Sequence, residues 1–262
     1  MKIKNLINHP FESAKLISKV FIDKLFYKFI ENQSKKFFEH NDLNKYFILG
    51  NHEELKIEYI DIKYLYNQVI KRNPKCVLEF GSGFSTIAIA LALKKNDELY
   101  KTGGKLFSVD GNEEWIKNTR NKINKDLTKY IKFIFDKPYI STHKGQLVSY
   151  HKNLPDISPN FIYLDGPAPD DVMGVINGLS FNSKTIKDDD ENIFFKKNSR
   201  RIVAADVLLY ESTAPSDFFI LIDRRYSNSN FLEKNLIYDY KIIKNIIFGG
   251  KVTFEKKYQP YP

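Results

Sequence analysis

Cysteine is almost absent from this 262-residue chain, where Cys76 stands alone. That excludes an intramolecular disulfide and any zinc site built on cysteine pairs, and the place of Cys76 in a short apolar run predicts a buried thiol. Apolar runs of 18 or more residues are also missing, so the sequence predicts no membrane-spanning helix. The N-terminus has neither the continuous apolar core nor the small-residue cleavage site of a secretory signal, which together with the single cysteine fits the cytoplasm. Arginine is scarce. Of 41 basic residues only Arg72, Arg120, Arg200, Arg201, Arg224 and Arg225 are arginine, and the lysines are scattered. The net charge of +9 therefore lacks the clustering that nucleic-acid binding calls for, and no nucleic-acid partner is expected. An apolar content of 42% suffices for one sizeable α/β domain with an appendage.

What is present is most informative from Val77 to Thr86. Cys76 to Phe80 reads as a strand, and Ile87, Ala88, Ala90, Leu91, Ala92 and Leu93 read as a helix, with Ser85 as its expected N-cap. Gly81 and Gly83 let the backbone turn sharply between them. A dinucleotide fingerprint needs a third glycine or alanine, and here Thr86 occupies that position. Glu79, two residues before Gly81, is expected to point into the ligand cleft and repel a pyrophosphate. S-adenosyl-L-methionine carries a sulfonium and an ammonium and no phosphate, so Glu-x-Gly-x-Gly favours it over NAD.

Two further strand ends repeat the pattern. Lys105 to Val109 is a short strand closed by Asp110 and Gly111, where an acid can accept the hydroxyls of an adenosine ribose. The spacing from Gly83 exceeds the ~20 residues usual in dinucleotide folds, with Lys94 to Gly104 as a polar insertion. Phe161 to Leu164 is closed by Asp165, and Gly166-Pro167 enforces a turn. In an open parallel sheet, Glu79, Asp110 and Asp165 would meet in one crevice outside the strand ends. Trp115 is expected to pack its helix onto the sheet.

On these residues the chain resembles the class I S-adenosylmethionine-dependent methyltransferases. The likeness rests on Glu79-Phe80-Gly81-Ser82-Gly83, Ser108-Val109-Asp110 and Phe161 to Pro167. Asp165-Gly166-Pro167, Ala204-Ala205-Asp206 and Leu221-Ile222-Asp223-Arg224 look like a little-characterised bacterial branch, some members of which accompany surface-polysaccharide genes; Arg224 stands where that branch usually has glycine. The resemblance implies a Rossmann-like, doubly wound, mostly parallel seven-stranded sheet with a C-terminal antiparallel hairpin. It implies a cofactor site of Glu79, Phe80, Gly81, Ser82, Gly83, Ser85, Asp110, Gly111 and Asp165. It also implies O-methylation of a small-molecule acceptor such as a sugar or surface-polysaccharide precursor. A hydroxyl acceptor benefits from a general base, for which Asp165 and His143 are the candidates, with His151 on the same connection. No metal is expected. The alternatives are an RNA methyltransferase, for which no Asn-Pro-Pro-Tyr motif exists, and a non-catalytic membrane-associated protein of the same fold.

The remaining chain divides into a helical appendage over residues 1–58 and a catalytic domain over 59–262. In the appendage, Ala14, Ile17, Phe21, Leu25 and Phe29 recur among lysines as a basic helix, which leaves two readings, a cap on the domain or peripheral contact with an acidic membrane. Tyr59 to Arg72 reads as a helix, Tyr130 to Phe135 as a third strand followed by an irregular stretch, and 168–201 as a lid or substrate insertion. Ile202 to Glu211 reads as a helix, Phe218 to Asp223 as a strand, and Tyr238 to Ile247 with Lys251 to Lys257 as the terminal hairpin.

Overall fold

The computed structural model describes residues 10–47, 57–181, 202–245 and 250–257, with side chains from residue 25 onward. Strands β1 (Cys76–Phe80), β2 (Lys105–Asp110), β3 (Ile131–Phe135), β6 (Phe161–Leu164) and β7 (Phe219–Ile222) run parallel, and β8 (Tyr240–Asn245) and β9 (Lys251–Lys256) form an antiparallel hairpin. Among the described residues they make one seven-stranded sheet in the order β3-β2-β1-β6-β7-β9-β8, with β9 antiparallel to β7. This is the Rossmann-like, doubly wound sheet with a terminal hairpin. Its central strands are buried on both faces, which is why β6 and β7 read as unbroken apolar runs rather than alternating ones.

The period of two still sorts side chains between two cores. Val77, Phe161, Tyr163, Phe219 and Leu221 face helices α2 (Tyr59–Arg72) and α3 (Phe84–Tyr100). Leu78, Phe80, Ile162, Leu164, Ile220 and Ile222 face α5 (Val207–Glu211) and α6 (Tyr226–Asn235) on the opposite side. The fourth helix, α4 (Glu113–Lys122), follows β2 and is capped by Asn112, whose side chain accepts the Trp115 N–H at 3.0 Å.

Helix α1 (Pro10–His40) joins the first core through its C-terminal part. Phe38 is fully buried and meets Phe47, Tyr59 and Tyr66 in an aromatic cluster, while both Glu31 oxygens accept the Tyr59 and Ile60 N–H groups at 2.8 Å. That carboxylate satisfies the first free donors of α2, and the core is continuous across residue 58. Leu25 and Phe29 do not pack as a cap requires; they are 53% and 59% exposed. Ala14, Ile17 and Phe21 have side chains outside the described residues.

Three expectations need correction. The stretch after β3 is not irregular: β4 (Tyr139–His143) and β5 (Gln146–Tyr150) form a hairpin whose turn residues Lys144 and Gly145 both have positive φ, as a two-residue turn requires. The helix expected over Ile202 to Glu211 begins only at Val207, because Val203 to Ala205 pair instead with Ser149 in extended form. Helix α3 starts at Phe84 with Gly83 as its N-cap, so Ser85 lies inside the first turn. Of the expected 168–201 insertion, Val172 and Phe181 pack with Ile140 and Ile202 in a small third core, and 182–201 lie outside the described residues.

The β1 and β6 ends touch through backbone. Gly166 N–H bonds to Phe80 O at 2.6 Å, and a Cβ on Gly166 would lie 2.9 Å from Gly81 N, whereas a Cβ on Gly83 would meet nothing within 4 Å. Gly166→Ala is therefore expected to lower unfolding free energy by about 1–3 kcal/mol, with Gly83→Ala near neutral. Urea denaturation of the two variants checks this; equal stabilities would show that the strand ends have room to part.

Candidate functional site

A cleft of about 620 Å³ opens over the carboxyl ends of β1, β2, β6 and β7, at the point where strand order reverses between β1 and β6. Of the residues expected in a cofactor site, Phe80, Gly81, Ser82, Gly83, Ser85, Asp110, Gly111 and Asp165 all line it.

Glu79 does not. Its carboxylate is fully buried behind the loop, where Oε1 accepts from Ser85 Oγ at 2.6 Å and Oε2 from Thr86 Oγ1 at 2.6 Å and Ser108 Oγ at 2.7 Å. The alternation of β1 turns Glu79 toward α3, away from the open strand end, so it acts on the loop rather than on a ligand. Thr86, which replaces the third glycine, accepts the Gly83 N–H at 3.0 Å while donating to Glu79. Burial pushes the Glu79 carboxyl up to about 7, although its three hydroxyl donors pull the other way.

The loop spends its donors internally. Gly81 N–H bonds to Val109 O at 2.9 Å, Ser82 N–H to Asp110 Oδ2 at 2.7 Å, and Gly83 N–H to Thr86. None of these three remains for a phosphate. Asp110 also accepts the Asn112 N–H at 2.9 Å, which aligns its carboxylate at the β2 end; burial raises its pKa. Trp115 lines the cleft as well and donates its indole N–H to Ser82 O.

Asp165 reaches the open cleft from the β6 end. The enclosing walls and the nearby Asp223 push its carboxyl up to about 6, against the pull of Arg225, Lys251 and Arg224. Beneath it lies a network that composition does not reveal. Lys251, fully buried, stands 2.8 Å from Asp223 Oδ1 and 3.2 Å from Asp61 Oδ1, and Arg224 pairs with Glu58 and with Asp61 at 2.7 Å. Burial, then the hydrogen bond shared with Glu58, raises the Asp61 carboxyl to about 7. Asp223 was legible, since it closes an apolar strand as Asp110 and Asp165 do; Asp61, on a helix, and Lys251, on a hairpin, were not.

His143 is not in the cleft. Its Nδ1 lies 3.1 Å from Tyr150 OH and its ring packs edge-on against Phe231, so the hairpin turns it toward the core and the catalytic expectation for it is withdrawn. His151, one residue past β5, does line the cleft, stacked on Phe80. Asp206 holds it twice, accepting the His151 backbone N–H at 2.7 Å and the ring Nδ1 at 3.0 Å, which leaves Nε2 as the nitrogen without a hydrogen bond among the described residues. No group of three metal-ligating side chains occurs among the described residues, and no described helix is long and apolar enough to cross a membrane.

No family model matches the chain, and no curated protein matches it. Solved structures similar in chain path include the O-methyltransferase TomG from Streptomyces achromogenes in complex with SAM, at 10% identity and a TM-score of 0.46 over 86% of this chain and 89% of that one. The O-methyltransferase from Bacillus cereus in complex with SAH is similar at 12% identity and a TM-score of 0.45, over 86% and 91%. The SAH-bound Podospora anserina methyltransferase PaMTH1 shows 14% identity and a TM-score of 0.41, over 94% and 96%.

The buried Glu79 has a measurable signature. Its folded value of about 7 exceeds the ordinary 4.5, so the folded protein holds this proton more tightly than the unfolded chain. The resulting stabilisation is complete below about 4.5 and is lost as pH rises to about 7, by up to about 3 kcal/mol for this group. Asp61 and Asp165 act in the same direction. Glu79→Gln is expected to flatten the fall in stability between pH 4.5 and 7, measured by urea denaturation across that range. An unchanged slope in a folded variant would show that Glu79 stays ionised throughout.

Proposed function

We propose that the cleft binds S-adenosyl-L-methionine and that the protein is a cytoplasmic methyltransferase acting on an oxygen of a small molecule such as a sugar or a surface-polysaccharide precursor. The observation that carries this reading is the loop itself. Its three N–H groups are consumed by Val109, Asp110 and Thr86, and the cleft around it is lined by carboxylates, which disfavours a pyrophosphate and suits a cation. Asp110 would accept the ribose hydroxyls, and Gly83, where a Cβ would meet nothing within 4 Å, leaves the backbone bare where the cofactor would lie. When bound, S-adenosyl-L-methionine supplies an electrophilic methyl group on a sulfonium.

The chain's own part in the reaction is to hold the acceptor in line, exclude water and take up a proton. Asp165 fits the last role: its carboxylate faces the cleft and has no hydrogen-bond partner among the described residues. With a value of about 6 it is ionised at neutral pH yet basic enough to receive a hydroxyl proton as the oxygen attacks. The exposed Leu25, Phe26 and Phe29 beside Lys28 favour a second role for α1, contact with an anionic membrane surface, for which salt-sensitive sedimentation with anionic liposomes is the test.

Calorimetry is expected to give micromolar binding of S-adenosyl-L-methionine and S-adenosylhomocysteine and none of NAD. Asp110→Ala should weaken the former by about 1–3 kcal/mol. Comparable NAD binding would end the proposal. Asp165→Asn is expected to cut methyl transfer to an extract-derived acceptor by about 10²–10⁴-fold with little change in cofactor affinity. Wild-type turnover should rise as pH increases through about 6. Full turnover in a folded Asp165→Asn protein would remove Asp165 from the reaction.

A further inference from the structure

Three cations lie at or beneath the side of the cleft formed by β6, β7 and α2, and two of them are neutralised. Lys251 is paired with Asp61 and Asp223, and Arg224 with Glu58 and Asp61. Arg225 differs. Its Nε donates to Asp165 O at 2.8 Å, and its Nη2 to the same oxygen and to Pro167 O at 2.9 Å, so every acceptor it has among the described residues is a neutral carbonyl. It forms no ion pair among the described residues, and burial depresses its pKa despite the field of Asp165. A guanidinium largely withdrawn from water without a counter-ion is unfavourable, and its fork geometry suits an oxyanion.

Arg225 also lines a second cavity of about 360 Å³, formed with Pro167, Ile202, Arg224, Tyr226 and Ser227. The two cavities share Pro167, Arg224 and Arg225, so they adjoin. Their chemistry is opposite. Seven carboxylates, from Glu58, Asp61, Asp110, Asp165, Asp170, Asp171 and Asp223, line the large cleft, and none of the described residues lining the smaller cavity carries one. Its volume lies within the range of small-molecule pockets.

We propose that this smaller cavity binds the anionic end of the acceptor, a phosphate or carboxylate group, with Arg225 as its counter-charge. The inference rests on the methyltransferase reading in that it names the acceptor class. Arg225 grips the Asp165 carbonyl, so an anion held on its free Nη1 edge lies beside the residue assigned to the acceptor hydroxyl. The acid-lined cleft then takes the cationic partner and the cavity bordered by Arg224 and Arg225 the anionic one.

The test is an NMR titration of the full chain, saturated with S-adenosylhomocysteine, with inorganic phosphate and separately with malonate. Saturable shifts at millimolar anion are expected in Tyr226 and Ser227, weakened about tenfold or more in Arg225→Gln. Tighter binding of phosphate assigns a phosphorylated acceptor, and tighter binding of malonate a carboxylated one. Should Arg225→Gln fail to fold, Ser227→Asp places an anion in the cavity at a helix position that tolerates it, and must abolish anion binding. Absence of saturable shifts in the wild type, or undiminished binding in a folded Arg225→Gln or Ser227→Asp, overturns the proposal. Failure of S-adenosylhomocysteine to bind would instead overturn the methyltransferase reading, since the anion titration can be run without it.

Discussion

One buried carboxylate organises the working end of this molecule. Glu79 has no contact with solvent and draws three hydroxyls onto itself, from Ser85 and Thr86 on α3 and Ser108 on β2. Ser108 also meets Ser82 of the loop at 3.0 Å, and Thr86 reaches back to the Gly83 N–H. The acid thus ties strand, loop and helix through side chains whose desolvation is acceptable only because each has a partner. The geometry leaves no spare N–H group on Gly81, Ser82 or Gly83, which disfavours a phosphate on this turn.

The second organising feature is electrostatic and comes from chain topology. Because β9 inserts antiparallel between β7 and β8, Lys251 at its start lies beside Asp223 at the end of β7. Helix α2 contributes Asp61 from the other side, and Tyr163 OH donates to Asp223 Oδ2 at 3.0 Å. A buried lysine with two carboxylates is stable only as a complete set, since removing either partner strands a charge. The set forms the floor on which Asp165 and Arg225 rest, the former a carboxylate facing the cleft and the latter a cation without a carboxylate partner among the described residues.

Some misread elements show which physical signals local sequence carries. Ile202 to Ala205 is apolar enough for a helix, yet Ser149 offers it an extended partner, and a tertiary hydrogen bond outweighs a weak local preference. The β4–β5 hairpin was legible in principle: Tyr139 to His143 and Gln146 to Tyr150 flank a Lys-Gly pair, and glycine supplies one of the two positive-φ positions that the turn needs. Overlooking that hairpin is what misplaced His143, because a strand alternates its side chains and only the residue past β5, His151, emerges at the cleft.

The strand ends and the two glycine turns were determined by the sequence itself, since short, largely apolar runs closed by Asp110, Asp165 and Asp223 suit a buried parallel sheet, whereas the order of the strands came from the fold. Whether an acid at such an end meets a ligand or a neighbouring hydroxyl was decided only by the fold. Glu79 and Asp110 look alike in sequence, but the pleat of β1 turns Glu79 toward α3 and the terminal position of Asp110 on β2 leaves it at the cleft. The pairing of Arg224 and the carbonyl partners of Arg225 were likewise invisible, because adjacent residues at a helix start diverge in direction and their partners Glu58, Asp61 and Pro167 come from distant parts of the chain. Local pattern sets which residues reach a strand end; long-range packing sets what surrounds each of them there, and the surroundings determine the chemistry.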